Sequence, residues 1–190
     1  MIRSEDVIQF FDRLAGSWDA DMVRNEDVIR LILDHARVRE GVSVLDVASG
    51  TGVLFPDYLD RNVRHITGVD ISPEMTRIAS EKFGGNDRIR LYCSDIETFT
   101  AEEPFDVVMV YNAFPHFPDP KRLIETLSGF LSEGGRLSIA HGMSREAIDR
   151  HHSGPAALVS NRLMPVEELS GLMKPYFEIE TAVSDERMYQ

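Results

Sequence analysis

Short apolar runs alternate with amphipathic segments along most of the chain, and this alternation limits the fold more than any other feature. VSVLDVA (42–48), HITGVDIS (65–72), RIRLYCSD (88–95), FDVVMVYN (105–112), GGRLSIAHG (134–142) and FEIETAVS (177–184) read as strands. Residues 4–15, 25–38, 53–60, 73–84, 120–131, 144–152 and 165–176 read as helices between them. Ser4 is a candidate cap. Pro73 falls in a first turn and Gly84–Gly85 follow a last one, while Ser153-Gly-Pro should stop the helix before it. Helices alternating with apolar strands predict an α/β fold: one open, mostly parallel sheet, doubly wound, with helices on both faces.

Composition narrows the partners. The chain has 190 residues, enough for one domain with a real core. Its formal net charge of -12, with no basic cluster, disfavours nucleic acid and anionic membrane surfaces. No apolar run approaches the ~20 residues of a membrane span, and MIRSEDVIQFF lacks the pattern of a signal peptide. A single cysteine, Cys93, rules out a disulfide framework, reads as a small buried hydrophobe, and points to a reducing cytoplasm.

In a parallel α/β sheet, ligands bind beyond the carboxyl ends of the strands. Three expected strands deliver an acid there: Asp46 within VLDVASGTG (44–52), Asp70 in GVDIS and Asp95 in CSDIE. Gly50 and Gly52 would let backbone lie close to a ligand. Asp70, 24 residues after Asp46, suits a pair of ribose hydroxyls. Asp95 with the Ile96 amide suits an adenine edge, and Ile71 and Met75 suit its faces. A dinucleotide fits less well, because the first glycine of its fingerprint is Ala48 here and the third would be Phe55. Asp46 would repel a pyrophosphate, whereas it suits a cofactor carrying an ammonium and a sulfonium. Asp46 hydrogen bonding to loop amides is the structural alternative.

Read in order, VLDVASGTG, ITGVDISPEM, CSDIE, FDVVMVYNAFPHFPDP and GGRLSIAHG resemble the motif set of class I S-adenosylmethionine-dependent methyltransferases. Within them the chain is most similar to the small-molecule branch of the quinone-biosynthesis C-methyltransferases. The resemblance implies a seven-stranded Rossmann-like sheet with an antiparallel last strand, short or incomplete here. It implies S-adenosyl-L-methionine as cofactor, with Asp46, Ala48, Ser49, Gly50 and Gly52 along its methionine part. Asp70 would take the ribose, Asp95 and Ile96 the adenine, and Asn112 would stand near the sulfonium. FFDRLAGSWD (10–19) resembles the branch's opening helix, making Phe11 and Trp18 candidates to close over the cofactor. Ala48 departs from the family's glycine, which is tolerable if it keeps a negative φ. The organisation implied is one methyltransferase domain: an N-terminal helical cap (1–40), a cofactor-binding core (41–140) and an acceptor-side segment (141–190).

The histidines pose a separate question. His116 and His141 fall at the active edge of the sheet, and His151 and His152 could fold back toward them. They offer a base, with His116 and His141 as catalytic candidates, or a metal site, although no metal is assigned. For His151 and His152 the plain alternative is a helix end that favours cations. Arg145 and Arg150 are alternatives for holding an acidic substrate. Phe10, Phe11, Phe114, Phe117, Leu158 and Leu163 suggest a partly apolar small-molecule acceptor. Two other functions stay open: a module that binds S-adenosylmethionine or S-adenosylhomocysteine without turnover, and an NAD-dependent oxidoreductase.

Overall fold

The computed structural model describes residues 2–152 and 154–190. Met1, and Ser153 of the expected helix stop, lie outside the described residues. Five strands form one parallel sheet: β1 (Ser43–Val47), β2 (His65–Asp70), β3 (Ile89–Cys93), β4 (Phe105–Tyr111) and β5 (Leu131–Ala140), in the order β3-β2-β1-β4-β5. The strand order reverses between β1 and β4, so the crevice expected to take a ligand opens beyond Val47 and Tyr111.

Eight helices surround the sheet among the described residues: α1 (Ser4–Leu14), α2 (Trp18–Asp21), α3 (Glu26–His35), α4 (Phe55–Asp60), α5 (Pro73–Phe83), α6 (Pro120–Ser128), α7 (Arg145–His151) and α8 (Val166–Met173). Two short 3-10 turns, Phe114–His116 and Gly154–Leu158, carry no periodicity that the sequence would betray. Local chemistry sets the boundaries. Asn25, Ser72, Asp119 and Ser144 accept from the amides of Val28, Met75, Arg122 and Ala147, capping α3, α5, α6 and α7. Ser4 does not cap α1; it is the first helical residue, and the N-cap position belongs to Arg3 without a side-chain bond.

Period-two alternation divides the core between the two faces. Leu45 and Val47 join Val108, Val110, Ile124, Leu127 and Leu169 on one face. Val44 joins Ile29, Ile32, Phe55, Tyr58 and Met109 on the other. Every residue of β1 is buried, as a central parallel strand requires.

The sheet has five strands rather than seven. Residues 177–184 form no strand beyond an isolated bridge from Ser184 to Tyr189. The chain returns at Met188–Gln190, and Tyr189 exchanges both backbone hydrogen bonds with His141 (2.8 and 3.1 Å), antiparallel to β5. Gln190 is anchored by its amide group: Nε2 donates to Ile32 O (3.1 Å) and Ser138 Oγ (3.0 Å), and Oε1 meets His35 Nδ1 (2.8 Å). The antiparallel element is therefore a single residue pair. A cavity of about 290 Å³ runs along the outer edge of β5, between Arg136–Ile139 and residues 176–181.

Two further boundaries differ. Helix α6 stops at Ser128, and β5 begins at Leu131 because a register shift accommodates Ser132–Gly135, where Gly134 adopts φ +75°. Cys93 is exposed rather than buried, because β3 is the edge of the sheet.

Candidate active site

The loop after β1 is shaped by backbone conformation. Ala48 takes φ +55°, Gly50 +56° and Gly52 +80°. The expectation of a negative φ at Ala48 is thus corrected: the chain holds an L-residue in the left-handed region, where glycine is the easy occupant. The two glycines differ in cause. A Cβ on Gly50 would meet nothing nearer than Trp18 Nε1 at 4.0 Å, so this stretch of backbone faces open space beneath an indole. A Cβ on Gly52 would stand 2.7 Å from Phe83 and 2.8 Å from Phe55. Gly52 is needed for packing against those rings.

The three acids part company. Asp70 is buried and Oδ2 accepts from Gly50 N at 2.7 Å, while Oδ1 accepts from Ser72 N at 2.8 Å. Those bonds tie β2 to the glycine loop and leave lone pairs for a ligand's hydroxyls. Burial pushes Asp70 up to about 6, against the pull of the Ser72 and Gly50 amides. Asp46 is also buried, and burial raises it further, to about 8, although the Tyr58 hydroxyl beside it favours the charge. That hydroxyl completes no hydrogen bond of ordinary geometry, and no loop amide reaches Asp46. Asp95 is partly buried, and Oδ1 accepts from Glu97 N at 3.0 Å, holding the turn before buried Ile96.

An N-terminal cover lies over these tips. Asp12 of α1 accepts from Ser72 Oγ (2.5 Å) and Glu74 N (3.2 Å). Asp19 of α2 accepts from Thr51 Oγ1 and pairs with Lys82 at 2.7 Å. Phe11 stands edge-on to Trp18 (centroids 5.7 Å apart) and to His116 (4.8 Å). A row of rings therefore runs from the glycine loop to the histidines.

The structure brings three of the four expected histidines together. His116 and His152 rings lie 4.9 Å apart, and the charges of both act on His141. His116 Nδ1 pairs with Val159 O at 2.9 Å, a bond that fixes Nδ1 as the protonated nitrogen and leaves the Nε2 lone pair available. His141 has no exposure and no partner for either ring nitrogen. Burial depresses His116 to about 4 and His141 to about 3. It also lowers His152, so this residue is not the cation expected at the end of α7, whereas His151 stays exposed. Among the described residues no group of three or more His, Cys, Asp or Glu is arranged to hold a metal.

The other candidates are placed less centrally. Asn112 is exposed, adopts φ +55°, and accepts from Gly142 N at 2.9 Å, joining the ends of β4 and β5. Ile71 is partly buried and Met75 is core. Arg145 donates to Leu163 O (2.7 Å). Leu158 is 78% exposed and contributes no wall. Asp12 and Asp19, which fasten the cover, escaped sequence reasoning because they lie on a polar helix face, indistinguishable from a solvated one. Ser49, buried after Ala48, fits the expected loop.

Residues 44–135 match a methyltransferase domain family. A ubiquinone biosynthesis O-methyltransferase of Xylella fastidiosa (strain 9a5c) is 31% identical over 146 residues, covering 73% of this chain and 59% of the relative. Among solved structures, the N-methyltransferase NodS of Bradyrhizobium japonicum WM9, in complex with S-adenosyl-l-homocysteine, superposes with a TM-score of 0.70 at 16% identity, covering 90% of this chain and 85% of that one. The [4+2]-cyclase SpnF superposes at 0.73 with 21% identity, covering 92% and 72%. The fold is that of the class I methyltransferases. The chain resembles the S-adenosylmethionine-dependent enzymes of this class, and it spans 55% to 59% of the length of several curated relatives it matches. No helix among the described residues is long and apolar enough to cross a membrane.

Proposed function

We propose that this chain is one methyltransferase domain that uses S-adenosyl-L-methionine to methylate a small molecule. The observation that carries the reading is Asp70: a buried carboxylate bound to the Gly50 amide, at a strand tip next to the switch point, with acceptor capacity left over. When bound, the cofactor supplies a methyl group on a sulfonium. Asp70 would hold the ribose hydroxyls, Asp95 and the Ile96 amide the adenine, with Ile71 and Met75 against its faces. Asp46 would meet the ammonium, which restores the charge that burial disfavours. Ala48, Ser49 and Gly50 would line the methionine part, with Asn112 toward the sulfur. Trp18 and Phe11 would exclude water, which matters because alignment and desolvation are the protein's main contribution to a methyl displacement.

His116 and His141 would face the acceptor. Similarity to a ubiquinone biosynthesis O-methyltransferase supports a small-molecule acceptor. The test is methyl transfer from methyl-labelled S-adenosylmethionine into a metabolite extract. His141→Ala is expected to keep S-adenosylhomocysteine binding and to lower turnover at least about tenfold, within the ordinary worth of a proton-handling group. Unchanged turnover would remove His141 from the active site.

A further inference from the structure

Among the described residues, the histidine cluster holds three of the five buried side-chain polar atoms that lack a hydrogen-bond partner. Buried polar groups are nearly always hydrogen-bonded, and one left alone costs the folded state. Both nitrogens of His141 and Nδ1 of His152 are buried without partners, beside a His116 whose Nδ1 is already committed to Val159 O. The walls are apolar or aromatic: Phe11 edge-on to His116, and buried Phe114 two residues before it. The ionic groups of α7 nearby are engaged: Asp149, whose field reaches His152, accepts from Leu163 N (3.0 Å), and Arg145 donates to Leu163 O.

We propose that this cluster receives the methyl acceptor as an uncharged hydroxyl compound, whose O–H donates to His116 Nε2 and whose oxygen is flanked by His141 and His152. The inference rests on the reading of the chain as a methyltransferase. The donor–acceptor inventory selects the class. A hydroxyl needs an acceptor lone pair and a donor, which neutral imidazoles supply together. A carboxylate would enter among neutral rings, and an ammonium would find only the distant field of Asp149, already held by the Leu163 amide, so either ion would carry a heavy desolvation cost. In the reaction the oxygen–methyl bond would form as the sulfur–methyl bond breaks, its electron pair staying on sulfur, and the acceptor would give up its oxygen–hydrogen proton. The proton passes to His116 Nε2 and then to water, and the positive charge lost from sulfur leaves with it. The buried, neutral state of the three rings agrees with a site that accepts a hydrogen bond rather than one that pairs with an anion.

Three probes with one ring and different charge decide the question: benzyl alcohol, benzylamine and benzoate. Each is titrated into protein saturated with S-adenosylhomocysteine, with calorimetry and long-range proton–nitrogen spectra of the imidazoles as readouts. Saturation with S-adenosylhomocysteine is checked first, and its failure would count against the methyltransferase reading rather than this inference. The alcohol is expected to bind at least about tenfold more tightly than either ion, and to shift the His116 Nε2 resonance. His116→Phe should abolish that preference, and His116→Gln, which keeps an acceptor, should restore part of it. Equal or tighter binding of the amine or the carboxylate overturns the proposal. So does undetectable alcohol binding, or a preference unchanged in His116→Phe.

Discussion

Ala48 holds φ +55° at the first position of the glycine loop, a conformation that costs an L-residue about 1–2 kcal/mol relative to its usual regions. Ala48→Gly would relieve that strain, offset in part by the greater freedom of glycine in the unfolded chain. The expected outcome is a gain of up to about 1 kcal/mol, read from urea unfolding. A loss would mean that the Ala48 methyl makes packing contacts that outweigh its backbone strain. The residue types at the strand tips were legible in sequence, because acids and glycines have few reasons to recur there. Their division of labour was not. Gly52 answers to Phe55 and Phe83, residues separated from it by three positions and by thirty-one, and no spacing rule links Gly52 to Phe83. Asp70 was read as a ligand group, and the structure adds a second duty at the Gly50 amide.

At the scale of elements, the cover formed by α1 and α2 is fastened by a few polar contacts: Asp12 to Ser72 and Glu74, and Asp19 to Thr51 and Lys82. Its helices bury little, with Val7 and Ala15 the only core residues before α3 among the described ones. Asp19→Ala is therefore expected to speed amide exchange across α1 and α2 while leaving β1 and β4 protected; uniform exchange throughout would contradict a separately opening cover. The far edge of the sheet behaves differently. In β5, Ala140 bonds toward β4 and His141 bonds outward to Tyr189, so Leu137 and Ile139 also point outward, where no backbone partner reaches them. Their amides should exchange faster than those of Val108 and Val110. Seven of the eight helices and the five strands of the sheet followed from periodicity, whereas α2, four residues long, is too short to show a period and the cap expected at Ser4 is absent. FEIETAVS did not become a strand despite its alternation, because a strand needs a paired neighbour, and of that run only Val183 and Ser184 pair, with Gln190 and Tyr189.

For the molecule as a whole, burial of ionisable groups sets opposing dependences on pH. Asp46 (about 8) and Asp70 (about 6) titrate above the 3.8 of an ordinary aspartate. Between those values the folded chain binds more protons than the unfolded one, so stability falls as pH rises. His116 (about 4) and His141 (about 3) titrate below 6.5, so the folded chain binds fewer protons there and stability falls as pH drops. Asp46→Asn should raise stability at about pH 8 with little change at about pH 3, and His141→Leu should raise it at about pH 5 relative to about pH 8, each measured by urea unfolding. A variant whose gain is the same at both pH values would mean that its group is not held in the unfavourable charge state described. None of this was visible in sequence, because burial of a charge is a property of the assembled layers, whereas the layered fold itself was written in the alternation of segments.

The most direct measurement is a calorimetric titration of S-adenosylhomocysteine into the protein and into Asp70→Asn, with NAD as the control ligand. The account expects saturable binding of S-adenosylhomocysteine, weakened at least about tenfold in a folded Asp70→Asn variant, and no binding of NAD. Equal affinity in the two proteins, or heat from NAD alone, would contradict it.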